Sequence, residues 1–456
     1  MAKISIDRAL LKAKSHAKKG EIEEATKLYQ SVLQAFPKNM RAQQGLAALS
    51  KPKQNDAAQA VPQEIIDRLL ALYNRGQLAA VVDQARALTE QYPEAFFVWN
   101  ILGAANRGLG RTDNATSAFK RALSIKPDYV DAYNNMGVTL QEQGKLDEAI
   151  AAYNKALSIK PDFAEARAQC LHQLAHICDW PAIEAARSHI TELGIIGKSV
   201  SPFGLLPLED APDRHRSRSE LYAQEKLLRK PLPAPAKPSQ TPERLRIGYF
   251  SADFHNHATM YLMAQIFERH NKEQFEVYAY SYGPDEQDEM RKKLVSAVDV
   301  FHDVRGMNDI QIVELARAEG LDIAIDLKGF TKNKRLAPFA YGLAPVQIGY
   351  LGYPGTLGAD FIGYIVADPV VIPADNRQHY SEQVIYLPNS YQPTDNTRVI
   401  SDKTITREDM RLPSNGFVFC CFNNNYKISP KEFDIWMRLL GGVESSVLWL
   451  LKSNRW

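Results

Sequence analysis

A period of 34 residues constrains the N-terminal third of this chain more tightly than any other feature. Gly76, Gly110 and Gly144 are spaced by 34, and Pro93, Pro127 and Pro161 keep the same interval. Within the units Ala115 matches Ala149, Phe119 matches Tyr153, Leu123 matches Leu157 and Trp99 matches Tyr133. An earlier unit carries Gly20, Ala25, Tyr29, Leu33 and Pro37 at the same offsets. The pattern predicts helical hairpins, with glycine in each turn and proline closing the second helix. Small residues such as Ala115 and Ala149 let two helices approach, and bulky Phe119 and Tyr153 fill the space between neighbouring hairpins.

A helix–turn–helix unit of 34 residues is the tetratricopeptide pattern, in which neighbouring units stack to bury a continuous core. About four units are expected over residues 1–163, with a loop insertion at Ser50–Ala58. Residues 164–230 read as a helical cap and connector that includes Cys178-Asp-Trp180 and a packed loop at Ser201–Pro207. A stiff proline-rich linker follows at 231–243, with Pro231-Leu-Pro-Ala-Pro at its start.

Beyond residue 243 the period changes. Arg244–Phe250, Phe275–Ser281, Leu321–Leu327, Val346–Leu351 and Tyr364–Ala367 read as strands, and Asp309–Glu319 as a helix. Strands separated by helices imply a parallel sheet of Rossmann type, whose chemistry lies at the carboxyl ends of its strands. Phe417–Phe422 reads as a further buried parallel strand. The fold class expected is thus a tetratricopeptide solenoid followed by an α/β domain.

Bulk properties narrow the function. A net charge of +2 argues against a dedicated nucleic-acid binder. Cys170, Cys178, Cys420 and Cys421 form no CxxC pair, so a reduced cytoplasmic setting without disulfides is expected. There is no apolar run long enough to span a bilayer and no signal-peptide core at the start. HExxH, paired CxxC and a strict Asp-x-Asp are missing, so no metal site is expected.

Four loops carry candidate chemistry. Ser251-Ala-Asp-Phe-His-Asn-His257 follows the first strand, where a histidine in a cleft can act as base or donate to a substrate oxygen. The plainer reading leaves His255 and His257 as loop residues. Asp326-Leu-Lys-Gly-Phe-Thr-Lys332 offers Asp326, Lys328 and Thr331 to bind hydroxyls or orient a base, or is simply a polar glycine turn. Leu351-Gly-Tyr-Pro-Gly-Thr-Leu-Gly358 lets backbone amides approach a ligand, yet it is neither a Walker loop nor a GxGxxG element. Finally, Lys427 precedes Ser429-Pro-Lys-Glu432, a capping box with proline at the first helical position. Amides, helix dipole and ammonium there suit a phosphate or pyrophosphate. The alternative is an ordinary capped helix beside a surface lysine.

Taken together, IGYFSADFHNHA (247–258), FEVYAYSYGPD (275–285), GLDIAIDLKGFT (320–331), APVQIGYLGYPGTLGADF (344–361), FVFCCFNNNYKISPKEFDIW (417–436) and SVLWLL (446–451) resemble the O-linked N-acetylglucosamine transferase family, in its bacterial SPINDLY-like branch. The resemblance covers nearly the whole chain, and an N-terminal tetratricopeptide array belongs to the same architecture. It implies a GT-B glycosyltransferase with a complete first lobe at 244–395 and a connector with the opening of a second lobe at 396–456. It implies an inverting, metal-independent transfer of N-acetylglucosamine from UDP-GlcNAc to Ser or Thr of proteins, the acceptors lying along the repeats, without nucleic acid or membrane. A SPINDLY-like fucosyltransferase using GDP-fucose, or an inactive scaffold with an incomplete second lobe, are the alternatives.

Residue by residue, the resemblance places His257 in the acceptor–sugar region and Lys427 on the donor diphosphate, and both are carried as catalytic candidates. Leu351, Gly352 and Pro354 match the loop beside the donor sugar, and Asn424 stands where animal members carry glutamine. Asp326 and Thr331 are kept as candidates for the acceptor and sugar region. Asp322 stands where animal members carry histidine.

Overall fold

A computed structural model describes residues 6–19, 21–36, 39–50, 61–233 and 243–452. Gly20, Pro37, the 51–58 part of the insertion, the 234–242 part of the linker and Ser453–Trp456 lie outside the described residues. The chain divides into two compact units, Met1–Ile101 and Leu102–Trp456.

In the first unit helices Ile6–Lys19 and Ile22–Ala35 form one hairpin, and Gln63–Asn74 with Leu78–Gln91 another. Helix Met40–Ser50 lies between them in sequence. Ala13, Tyr29, Val32 and Ala42 form a shared core. Further hairpins are Phe96–Gly108 with Thr112–Ile125 and Val130–Glu142 with Leu146–Ile159. The turn glycines Gly76, Gly110 and Gly144 have φ of 73°, 74° and 72°. The left-handed conformation that ends each first helix would cost a side-chain-bearing residue roughly 1–2 kcal/mol, which is why glycine recurs at this interval. Ala115, Phe119, Ala149 and Tyr153 are fully buried, as the pairing of small and bulky positions predicts.

Helix Ala164–His176 follows the last hairpin. Its Ala166 and Cys170 pack with Tyr153, Ala152 and Leu140. Helices Trp180–Ala185, Arg187–Glu192 and Pro212–Tyr222 and a 3-10 turn at Pro202–Leu205 make up the connector. Asp179 caps the first of these by accepting from Ala182 N at 3.1 Å. Arg218 is wholly buried; it donates to the carbonyls of Leu193 and Ile190 and pairs with Glu209.

The α/β domain has seven parallel strands: β1 (Leu245–Ser251), β2 (Phe275–Ser281), β3 (Val300–Asp303), β4 (Ile323–Asp326), β5 (Val346–Gly349), β6 (Tyr364–Ala367) and β7 (Gln383–Tyr386). Their order is β3-β2-β1-β4-β5-β6-β7. This is the doubly wound order, with its switch point between β1 and β4. Alternation along β1 and β2 divides the core between two faces. Ile247, Tyr249, Val277 and Ala279 pack with Met260, Met263, Phe267 and Leu294 of helices Ala258–Arg269 and Glu289–Ala297. Phe250 and Tyr280, partners in register, stack at 4.3 Å on the other face with Val313 of helix Asp309–Ala318 and Phe339.

A second sheet pairs β8 (Val418–Cys421) in parallel with β9 (Val447–Leu450) through helix Pro430–Gly442. The parallel strand expected at 417–422 is present, but it is not buried: Phe417 and Phe422 are exposed, as is Cys420. Parallel strands are buried when helices cover both faces, and the described residues supply two strands and one helix here. All four cysteines are free. No helix among the described residues is long and apolar enough to cross a membrane.

Candidate active site

The switch point gathers the loops that follow β1, β4 and β5. After β1, Asp253 N donates to Ser251 Oγ at 2.9 Å, which turns the Asp253 side chain back over the sheet end. After β4, the chain bends so that Lys328 Nζ donates to Asp253 Oδ2 at 2.6 Å. Both side chains are nearly buried, at 6% and 8% exposure. Burying one of these charges alone would be costly, so each holds the other in place. Lys328, a candidate for binding hydroxyls on sequence grounds, is therefore committed to an ion pair.

His257 is the N-cap of helix Ala258–Arg269. Its Nδ1 accepts the Thr259 backbone N–H at 3.2 Å. An amide can only donate, so Nδ1 carries no proton and the neutral ring bears its hydrogen on Nε2. Burial pushes the His257 pKa below its ordinary value, against the pull of Asp253, whose carboxylate lies 3.5 Å away. The side chain is still 41% exposed. It is thus a neutral imidazole facing the switch point with a donor to offer, which suits hydrogen bonding to a substrate oxygen better than proton abstraction.

Asp326 differs from a substrate-facing group. It is 1% exposed. Its two oxygens accept Lys328 N at 3.2 Å and Gly329 N at 2.6 Å, so it shapes the β4 loop. Burial raises its pKa to about 6 despite those amides. Thr331, half-buried, donates to Lys328 O at 2.7 Å within the same turn. Tyr282, which follows β2, has a buried hydroxyl without a hydrogen-bond partner, and burial beside Asp326 and Asp253 drives its pKa well up.

The β5 loop is interlocked with the β4 loop. A Cβ on Gly352 would stand 1.9 Å from Leu327 O, so only glycine fits. Leu351 beside it has φ +63°, a left-handed residue held at a strand end. Such strain persists only where surrounding structure over-determines it, and it clusters at functional sites. Pro354 is exposed at the loop tip, and its carbonyl accepts Tyr380 Oη at 3.0 Å. The base of the loop is tied by Glu382, which accepts Thr356 Oγ1 and Leu357 N, each at 2.6 Å. Asp322 lies at the opposite end of β4, where its carboxylate accepts Arg246 N at 2.8 Å.

Lys427 and Asn424 lie elsewhere, after β8. Residues Asn425–Lys427 form a 3-10 turn, and Lys427 is exposed with no ion pair among the described residues. The capping box is formed, with Ser429 N donating to Glu432 Oε2 at 3.1 Å. That changes the expected anion cradle. Pro430 has no N–H, the N–H groups of Ser429 and Glu432 serve the box, and Phe433 N bonds Ser429 O. Only the Lys431 amide stays free in the first turn, so the Lys427 ammonium dominates any anion site here. No hydrogen bond, ion pair or ring contact among the described residues joins Lys427 or Asn424 to the β1, β4 and β5 loops. The structure places His257, Asp326, Thr331, Leu351, Gly352 and Pro354 on the loops after β1, β4 and β5, and the other two after β8.

Sequence reasoning missed the role of Asp253. Asp253 sits within the quoted β1 motif, but its partner is 75 residues away. His255, Glu286 and Asp288 place potential ligand atoms within 4.8 Å of one another. The Asp288 oxygens, however, accept Asn256 N at 2.6 Å and Arg291 N at 2.9 Å as a helix cap.

Residues 220–404 and 397–455 match the model of Glycosyl transferase family 41, which is more than half of the chain. The chain belongs to glycosyl transferase family 41. Tetratricopeptide models match residues 9–39, 103–144 and 130–163 of this family 41 member. Over 215 residues it is 38% identical to the probable UDP-N-acetylglucosamine–peptide N-acetylglucosaminyltransferase SEC of Arabidopsis thaliana, covering 46% of this chain and 22% of that one. It is 32% identical over 218 residues to the probable transferase of the same description, SPINDLY, of Solanum lycopersicum, covering 46% and 23%. The family 41 chain thus matches less than a quarter of the length of these relatives. A mutant O-GlcNAc transferase structure from Thermobaculum terrenum superposes with a TM-score of 0.54 at 23% identity, covering 88% of this chain and 69% of that one. That likeness concerns the fold: helical repeats followed by a parallel α/β domain, consistent with GT-B.

Proposed function

We propose that the protein transfers N-acetylglucosamine from UDP-GlcNAc to Ser or Thr side chains of protein substrates, with inversion at the sugar. The observation that carries this reading is the switch point, where neutral His257, the buried Lys328–Asp253 pair and the strained Leu351–Gly352 turn stand on the loops after β1, β4 and β5, in a chain of family 41. The relatives named above are described as peptide N-acetylglucosaminyltransferases, which supports this donor and this class of acceptor.

Each residue has a part in that chemistry. As the glycosidic bond breaks, negative charge develops on the departing diphosphate. Lys427, with the Lys431 amide, meets that charge without a metal ion, and an interaction that strengthens as charge develops lowers the barrier. Nε2–H of His257 orients a sugar or acceptor oxygen. Leu351, Gly352 and Pro354 shape the place of the donor sugar, and Asn424 borders the nucleotide. Asp326 and Thr331 act through the shape of the β4 loop. The repeats hold an extended segment of the protein acceptor.

A donor panel with the full-length natural protein tests the reading. UDP-GlcNAc is expected to label Ser or Thr, with EDTA leaving the rate unchanged. Labelling from GDP-fucose without labelling from UDP-GlcNAc refutes the donor, and loss of activity in EDTA refutes the metal-free step.

A further inference from the structure

We infer that the helical connector at the end of the repeats positions Lys427, with Tyr426 and Trp180 as the positioning residues. This rests on the reading of Lys427 as the group that meets the donor diphosphate. It adds that the donor site is built partly on elements that belong to neither sheet.

The residues that flank Lys427 are gripped from one side. The Tyr426 ring lies among His176 at 4.8 Å, His172 at 5.2 Å and Phe203 at 6.3 Å. Trp180 Nε1 donates to Ile428 O at 3.1 Å, and Cys178 Sγ lies 3.8 Å from Asn425 O. Beyond the turn, Phe433 of helix Pro430–Gly442 packs on Trp180 at 5.2 Å. Residues 425, 426, 428 and 433 are thus tied to the connector, while Lys427 between them stays exposed. Its ammonium lies 6.0 Å from the centre of the Tyr426 ring.

The same connector helix carries the repeats. Ala166 and Cys170 of Ala164–His176 pack with Tyr153 of the last hairpin. Leu171 and Ala175 of that helix pack with Ile183, Leu205 and Tyr426. One helix of 13 residues therefore joins the last repeat to the turn that holds Lys427. Catalytic groups lose about 100-fold in rate when misplaced by as little as ~1 Å. A turn anchored through these contacts passes a shift of the connector to the ammonium. The consequence is specific: disturbing Trp180 or Tyr426 changes the use of donor and leaves the use of acceptor alone.

The test compares Trp180→Phe, Trp180→Ala, Tyr426→Phe, Tyr426→Ala and Lys427→Ala in the full-length natural protein. Hydrogen exchange at residues 425–428 and steady-state kinetics with UDP-GlcNAc and a protein acceptor are the readouts. The two alanine variants at the anchor are expected to speed exchange at 425–428 without changing it in β1. They are expected to lower kcat/KM for the donor about 10-fold, the size of one lost anchoring contact, with the acceptor KM unchanged. Tyr426→Phe keeps the ring and restores wild-type values. Trp180→Phe keeps the ring contact but loses the bond to Ile428 O, and it raises donor KM even where the alanine variant does not fold. Unchanged exchange, or faster exchange with unchanged donor kinetics, overturns the inference. Normal donor kinetics in Lys427→Ala instead overturns the reading beneath it.

Discussion

Lys328 Nζ and Asp253 Oδ2 meet at 2.6 Å across the switch point of the sheet, with both side chains almost excluded from solvent. The pair joins the loop after β1, which carries His257, to the loop after β4, against which the Gly352 turn packs. Removing one partner leaves a buried charge uncompensated. Lys328→Met or Asp253→Leu is expected to destabilise the domain by about 3–5 kcal/mol, and the double variant by clearly less than the sum. Urea unfolding of the four proteins measures this. Losses below ~1 kcal/mol in both single variants contradict the pair's role.

Gly352 tests the interlocking of the β4 and β5 loops. A methyl group there meets Leu327 O at 1.9 Å and Lys328 Cα at 3.3 Å, backbone atoms that cannot swing aside. Gly352→Ala is expected to cost about 2–3 kcal/mol, in the range of core overpacking, and to depress activity further by parting the loops. Thermal unfolding checks the first effect. An unchanged Tm means that the loops do not touch as described.

His257 caps its helix and, in the proposed function, donates to substrate, and substitutions separate the two jobs. His257→Asn keeps a capping oxygen and is expected to retain wild-type stability, whereas His257→Ala loses about 1 kcal/mol. Both are expected to lose most activity, because neither side chain places a donor where the Nε2–H of His257 stands, so activity assays should give matching losses for the two variants.

The pH profile gives a second view of the same group. Because burial lowers the His257 pKa, the ring is neutral above its usual titration range, and an acidic limb due to His257 falls below pH 6.5. A limb at or above 6.5 that vanishes in His257→Asn contradicts this assignment.

His172 supplies a stability test. Burial, together with His176, lowers its pKa to about 4. The folded form thus prefers the neutral ring, while the unfolded chain takes up a proton near 6.5. Stability from His172 is complete above pH 6.5 and is lost as pH falls toward 4. His172→Phe is expected to flatten the dependence of unfolding free energy on pH in that window. An unchanged slope there contradicts it.

Much of the fold was legible in the sequence because periodicity reports burial directly. The 34-residue spacing marked the hairpins, and apolar runs marked β1, β2, β4, β5 and β6 within one or two residues. β3 and β7 were missed, since Val300-Phe-His-Asp303 and Gln383-Val-Ile-Tyr386 are four-residue edge strands with polar content. In the site, motif spacing located the loops but not the commitments of their side chains. Lys328 reads as available in sequence, yet Asp253 holds it from 75 residues away, and the Trp180–Ile428 bond spans 248 residues. Local pattern carries no signal for such distant pairings. The buried reading of Phe417–Phe422 failed for a related reason: an apolar run says that a strand wants cover, not what covers it.

The central claim is that Lys427 meets the charge of a departing nucleoside diphosphate during sugar transfer to protein. The most direct measurement is the transfer rate from labelled UDP-GlcNAc to a protein acceptor, comparing wild-type and Lys427→Ala full-length protein with matched circular dichroism. The expected result is robust transfer by the wild type and a loss of about 100-fold or more in the variant, the scale of removing one charge-stabilising group. Near-normal transfer by a folded Lys427→Ala protein contradicts the account.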